Sequence, residues 1–185
     1  MAHSVSRFMD SPVFIYDDKN NLITKTTVTG YDRNEMYIEV PKGTTDIKSK
    51  TRLQLLIIHS AGVSELSGFL QSVRQGIYEI SFYGERQREG RASDRRTIDA
   101  FAVISDMQTD TSSTELQAPI PILIENISAT GVLVRVEDRP LDIGTILQLE
   151  LSIGGKDVIL FAEIVREHTI DENTNQYGCQ LHFLD

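Results

Sequence analysis

"IPILIENISATGVLVRVED", residues 120–138, holds two apolar runs separated by Asn126, Ser128 and Gly131. "IPILIENIS" (120–128) and "GVLVRVED" (131–138) are short, alternating and rich in β-branched residues, the pattern of half-buried strands. Asn, Ser and Gly are turn formers, each for its own steric or hydrogen-bonding reason. Strand, tight turn, strand is the local grammar of an antiparallel sheet.

The same punctuation extends in both directions. "SPVFIYD" (11–17), "NLITKTTVTG" (21–30), "EMYIEVP" (35–41), "TRLQLLIIHS" (51–60), "SELSGFLQSVRQ" (64–75) and "GIYEISFYG" (76–84) precede it. "TIDAFAVISD" (97–106), "TILQLELSI" (145–153), "KDVILFAEIVREH" (156–168) and "QYGCQLHFLD" (176–185) complete a second set. Residues 67–74 could mimic a helical turn, but Gly68 and the period-2 segments around it favour a strand. "SIGGKD" (152–157) reads as a tight hairpin turn whose glycines take positive φ. "DMQTDTSSTELQAP" (106–119) is polar and reads as a solvated loop. No amphipathic stretch is long enough for a helix. The fold class is therefore all-β, with two sets of about six strands, as in two small antiparallel β-barrels.

Composition removes several functions. The chain has 185 residues, 40% hydrophobic and 24% charged, ordinary values for a soluble globular protein. Its longest apolar runs, such as "LQLLII" (53–58), are too short to span a bilayer, and nothing resembles a signal peptide. The expectation is a cytoplasmic protein without membrane insertion. A single cysteine, Cys179, excludes an internal disulfide framework, and four widely spaced histidines argue against a zinc site. A net charge of −9 argues against DNA or RNA as partner, because affinity for phosphate backbones comes from excess Lys and Arg.

Other possible sites fail on spacing. In "DENTNQYG" (171–178) the glycine and His182 fall where a calcium loop needs other residues, so the stretch reads as a hairpin loop. "GGK" (154–156) lacks the frame of a phosphate-binding loop, and "HSAGVSELSG" (59–68) lacks a nucleophile elbow. Cys179 reads as a small core residue. There is no catalytic constellation, no metal set and no cofactor motif; the chain does not read as an enzyme.

One stretch stands against the acidic total. "RQREGRASDRR" (86–96) holds five of the twelve arginines, which against Glu89 and Asp94 leave a local charge of +3. It falls between the two strand sets, so it reads as a linker, a common place for binding residues held by rigid neighbours. Arg91 and Arg95 form R-x-x-x-R, and thirty-one positions after Arg95 begins "NISATG", an N-x-S-x-x-G pattern at the end of a strand. Alone, the linker reads as solvated charge and "NISATG" as a turn. Their ordered combination points to a site for a compact anion.

With that combination the sequence resembles the PilZ family, bacterial receptors for the second messenger cyclic di-GMP, whose signature is R-x-x-x-R followed by [D/N]-x-S-x-x-G. "GVLVRVEDRPLDIGTILQLELSI" and "FAEIVREHTIDENTNQYGCQLHF" look like the rest of a PilZ barrel. A preceding split-barrel-like domain resembles, by pattern, the two-domain flagellar-brake branch. The resemblance implies an N-terminal barrel over 1–84, an Arg-rich ligand-binding linker over 85–96 and a PilZ barrel over 97–185. It implies Arg91 and Arg95 as ligand-clamping arginines, Asn126 on a guanine edge, Ser128 offering its hydroxyl to ligand or backbone, and Gly131 where a Cβ would intrude. Arg88 and Arg96 are secondary candidates, with Arg86 beside them.

The chemistry fits independently. A guanidinium binds phosphate as a planar fork, stacks on bases and matches the O6 and N7 acceptors of guanine. By the same resemblance, ligand would change the interdomain arrangement and signal to a protein partner, such as flagellar motor or stator components. Two rival readings differ in class: a PilZ-fold interaction adaptor that binds no nucleotide, and a small-barrel RNA binder. The RNA binder predicts a basic surface with exposed aromatics, which the charge balance disfavours.

Overall fold

In a computed structural model, which describes residues 8–32, 34–44, 47–59, 62–85, 95–109 and 112–182, the alternating segments form twelve strands and no helix among those residues. The first six are β1 (Pro12–Tyr16), β2 (Leu22–Asp32), β3 (Glu35–Glu39), β4 (Arg52–His59), β5 (Gly62–Arg74) and β6 (Ile77–Glu85). They close antiparallel in the order β1-β2-β3-β6-β5-β4. Closure leaves no unpaired edge to template aggregation.

This barrel is filled by one face of each strand. Val13, Ile15, Val28, Met36, Ile38, Leu53, Ile57, Leu70 and Ile80 are wholly buried in a single cluster. Phe8 packs edge-on against Tyr31 and His59, with centroids 5.4 and 5.3 Å away, and Tyr31 stacks on Phe82 at 5.4 Å. Between β5 and β6, Gln75 and Gly76 both take positive φ, the geometry of a two-residue turn that matches strand twist.

The second six are β7 (Arg96–Thr109), β8 (Ser112–Ile127), β9 (Gly131–Glu137), β10 (Ile146–Ile153), β11 (Lys156–Thr169) and β12 (Thr174–His182). They close as β10-β11-β12-β9-β8-β7. Ile104, Ile124, Val134, Leu149, Ile164 and Tyr177 point inward and are fully buried. The Tyr177 hydroxyl accepts the Leu141 N–H at 2.9 Å and donates to Glu167 at 3.3 Å, so the one phenol in this core is satisfied. "SIGGKD" is the expected hairpin, with Gly154 and Gly155 at φ 57° and 79°.

One expectation is corrected. The polar stretch 106–119 is not a loop: β7 and β8 continue through it, with Asp106 opposite Glu115, Met107 opposite Thr114 and Gln108 opposite Ser113. Backbone hydrogen bonds hold a ladder whatever the side chains are, and a ribbon with few apolar residues gives no period-2 signal. A narrower version of the same correction applies to "DENTNQYG": β12 already begins at Thr174, so the hairpin turn is confined to 170–173.

Candidate functional site

Asn126, Ser128 and Gly131 sit where β8 turns into β9. The Ser128 N–H donates to the Gly131 carbonyl at 2.9 Å. The Ser128 hydroxyl accepts the Gly131 N–H at 3.2 Å and lies 3.3 Å from the Gly131 carbonyl. Of the two partners foreseen for that hydroxyl, ligand or backbone, the geometry supplies the backbone: Ser128, buried, closes the turn. Gly131 is required by the fold itself. A Cβ there would stand 2.9 Å from the carbonyl oxygen of Cys179 on β12. Its neighbour Thr130 accepts the Leu181 N–H at 3.0 Å, which pins the turn to the same strand.

Asn126 faces out because of a bulge. Ile124 pairs with Val134 and points inward, and strict alternation would bury residue 126 as well. The register instead shifts between them, leaving Glu125 as the extra residue, so that Asn126 pairs with Leu133 on the outer face. Bulges re-aim side chains in this way and recur beside binding sites. The half-buried Asn126 amide makes no side-chain hydrogen bond with a described residue. Its oxygen and two N–H groups are open.

Asn126 also pairs with Thr97 on β7, two residues after Arg95. Arg95 is exposed and immediately precedes that strand. The structure thus brings Arg95 to the strand beside Asn126. Arg96 opens β7 opposite Ile127, an inward position, and is 7% exposed, so Arg96 and Asn126 lie on opposite faces of the ladder. Arg86, Arg88 and Arg91 lie outside the described residues.

The next row on the outer face is already occupied by its own partners. Glu125 receives hydrogen bonds from Arg135 Nε at 2.7 Å and from Arg135 Nη2, and its second oxygen takes the Gln176 amide at 2.6 Å. Beyond it lies a cleft of about 470 Å³, lined by Phe101, Leu123, Arg135 and Glu137. Its aromatic, Phe101, is 85% exposed, and its one cation, Arg135, is held by Glu125.

A residue absent from the sequence reading lies on the row of Asn126. Arg166 on β11 pairs with Gly178 on β12, Gly178 with Leu133 on β9, and Leu133 with Asn126 on β8. The signal that could have found it is weak: a glycine inside a strand, which marks close approach by something else. Among the described residues, no group of three His, Cys, Asp or Glu side chains is placed to hold a metal. Among the same described residues, no helix is long and apolar enough to cross a membrane.

Residues 86–185 match the PilZ domain, a span that begins with the arginine stretch and includes the whole second barrel. No curated protein matches the chain. Solved structures similar to this chain include the MrkH–c-di-GMP complex of K. pneumonia, at 18% identity and TM-score 0.39, covering 95% of this chain and 80% of that one. The inhibitor of motility MotI/DgrA of Bacillus subtilis is similar at 14% identity and TM-score 0.37, covering 96% and 90%. YcgR of Escherichia coli in complex with c-di-GMP follows at 10% identity and TM-score 0.35, covering 94% and 76%.

Proposed function

The chain belongs to the PilZ domain family, and from that membership we propose that it is a cytoplasmic receptor for cyclic di-GMP. What supports the reading is an open amide one strand away from Arg95, the motif arginine that the structure describes. The matched span starts at the cluster, Arg95 stands before β7, and the unpartnered Asn126 faces out one strand away. Arg91 and Arg95 clamp phosphate and guanine, and Asn126 meets a guanine edge. Ser128 and Gly131 act by fixing the turn that presents Asn126. A dianion suits a charge of +3 confined to eleven residues in a chain of −9.

The output is a rearrangement. Without ligand the arginines repel one another; with it their charge is neutralised and the arrangement of the two barrels changes. A ligand can shift that equilibrium only by binding one arrangement better than the other. The altered surface signals to a protein partner, with flagellar motor or stator components as the first to test. The protein works by binding, not by catalysis.

Calorimetric titration with cyclic di-GMP tests the receptor, with GTP and the linear dinucleotide as controls. The cyclic form alone should bind. Arg95→Ala should weaken it by roughly tenfold or more, since a hydrogen bond to a charged group contributes about 1.5–3 kcal/mol. Unchanged affinity in the variant removes Arg95 from the site. No heat from folded wild-type protein leaves the adaptor reading in its place. Small-angle scattering that stays the same at saturating ligand removes the rearrangement.

A further inference from the structure

We propose that Arg166 is a further ligand-binding residue of this site, an arginine that reads a guanine base from across the sheet over Gly178. The proposal rests on the cyclic di-GMP reading and extends it to a strand that the family signature does not reach.

Three features of the fold converge on Arg166. The first is a second bulge. Ile164 pairs with Cys179 and faces inward, and alternation would turn Arg166 inward too. The register shifts between them, Val165 is the extra residue, and Arg166 emerges on the outer face opposite Gly178. The two bulges, at Glu125 and at Val165, act alike: each lifts a polar side chain out of the core pattern and sets it on the same row.

The second feature is the glycine. A Cβ at Gly178 would overlap the Arg166 side chain, meeting its Nε and standing 2.6 Å from Cγ and 2.9 Å from Cδ. The arginine therefore lies flat across β12, in space that only glycine leaves open, and its guanidinium is carried toward β9. Strands about 4.8 Å apart put the backbones of Arg166 and Asn126 roughly 14 Å from each other. The Arg166 stem covers the first part of that distance. Leu133 floors the rest, between a guanidinium on one side and an amide on the other. An apolar floor with a cation at one edge and an amide at the other suits a flat, hydrogen-bonding ring.

The third feature is the lack of a protein partner. Arg135, on the neighbouring row, is held by Glu125. Arg166 has no hydrogen bond or ion pair with a described residue, although the fold spends a bulge and a glycine on its placement. A guanidinium laid on an outer sheet face can stack on a base or fork onto O6 and N7 of guanine. Adenine presents an amino donor where guanine presents O6, so the fork separates the two bases.

Titration of the full chain with cyclic di-GMP and cyclic di-AMP tests this, alongside thermal unfolding of each variant. Arg166→Ala should keep the wild-type melting temperature, lose roughly tenfold to a hundredfold in affinity for cyclic di-GMP, and narrow its preference over cyclic di-AMP. Arg166→Lys, which keeps the charge without the fork, should recover only part of the loss. Gly178→Ala should reproduce the loss with Arg166 still present, because the new methyl takes the arginine's path. Cyclic di-GMP affinity within twofold of wild type in Arg166→Ala overturns the proposal. Affinity lost with the preference unchanged overturns guanine reading and leaves a charge effect. Wild-type protein that binds neither nucleotide overturns the receptor reading and this inference together.

Discussion

Two sets of polar side chains share the outer face of the second barrel, and they differ in what satisfies them. Glu125, Arg135 and Gln176 satisfy one another: both carboxylate oxygens are taken, by a guanidinium from β9 and an amide from β12. Asn126 and Arg166, on the next row, have no such partners. Both sets are polar, reach solvent and draw one member from β8. A polar set that closes on itself adds to stability and offers little to a ligand. An open set adds little to stability and keeps its hydrogen-bonding capacity for something else.

Gly131→Ala strikes at the turn that presents the open set and should have the largest effect on stability. Its Cβ would meet the Cys179 carbonyl at 2.9 Å, a backbone atom that cannot swing aside. Overpacking of this kind costs about 1–3 kcal/mol, and here it also displaces the turn that presents Asn126. Urea unfolding should show a lower midpoint, and cyclic di-GMP affinity should fall with it. A wild-type midpoint would mean that the β9–β12 contact is looser than the geometry implies.

The comparison itself is sharpened by a pair of variants. Glu125→Ala removes the acceptor of the closed set, and roughly 1 kcal/mol of stability should go with it, limited because Arg135 is partly in water. Its affinity for cyclic di-GMP should stay within a few-fold of wild type. Asn126→Ala should do the reverse, leaving stability within about 0.5 kcal/mol and lowering affinity about tenfold. The same effects in both variants would show that the two rows act as one network.

Most of the fold is legible because both barrels need only alternation and punctuation. "GVLVRVED" puts Val132, Val134 and Val136 inside with no exception, and Gly154–Gly155 between two alternating runs marks a tight hairpin turn. The ribbon at 106–119 is not legible, since its ladder is held by backbone groups that leave no trace in side-chain polarity. Half of the site is legible for a related reason. Asn126 was found through its motif, not through its face, because period 2 counted from Ile124 would bury it. Arg166 has no motif, and period 2 counted from Ala162 and Ile164 hides it in the core. A bulge adds one residue and inverts everything after it, so a sequence read by alternation fails at the positions a bulge was placed to expose.

The inner face of β12 carries the comparison through the sheet. Gly178 and Gln180 face out, while Cys179 between them faces in and is 4% exposed. Burial pushes its thiol up from an ordinary 9 to about 12. Tyr177, the next inward residue, is also raised, chiefly by burial. Between pH 9 and 12 the native state holds the Cys179 proton that the unfolded chain releases. Its contribution is therefore whole below the unfolded value and lost as pH climbs through that window. At neutral pH the effect is small and kinetic: a disulfide reagent should label Cys179 only as fast as the barrel opens, because the thiolate is both scarce and covered. Cys179→Ala should flatten part of the alkaline loss in urea midpoint and leave the share due to Tyr177. Rapid labelling of folded protein would place the thiol in water, and the inner face of β12 would then be as open as the outer one.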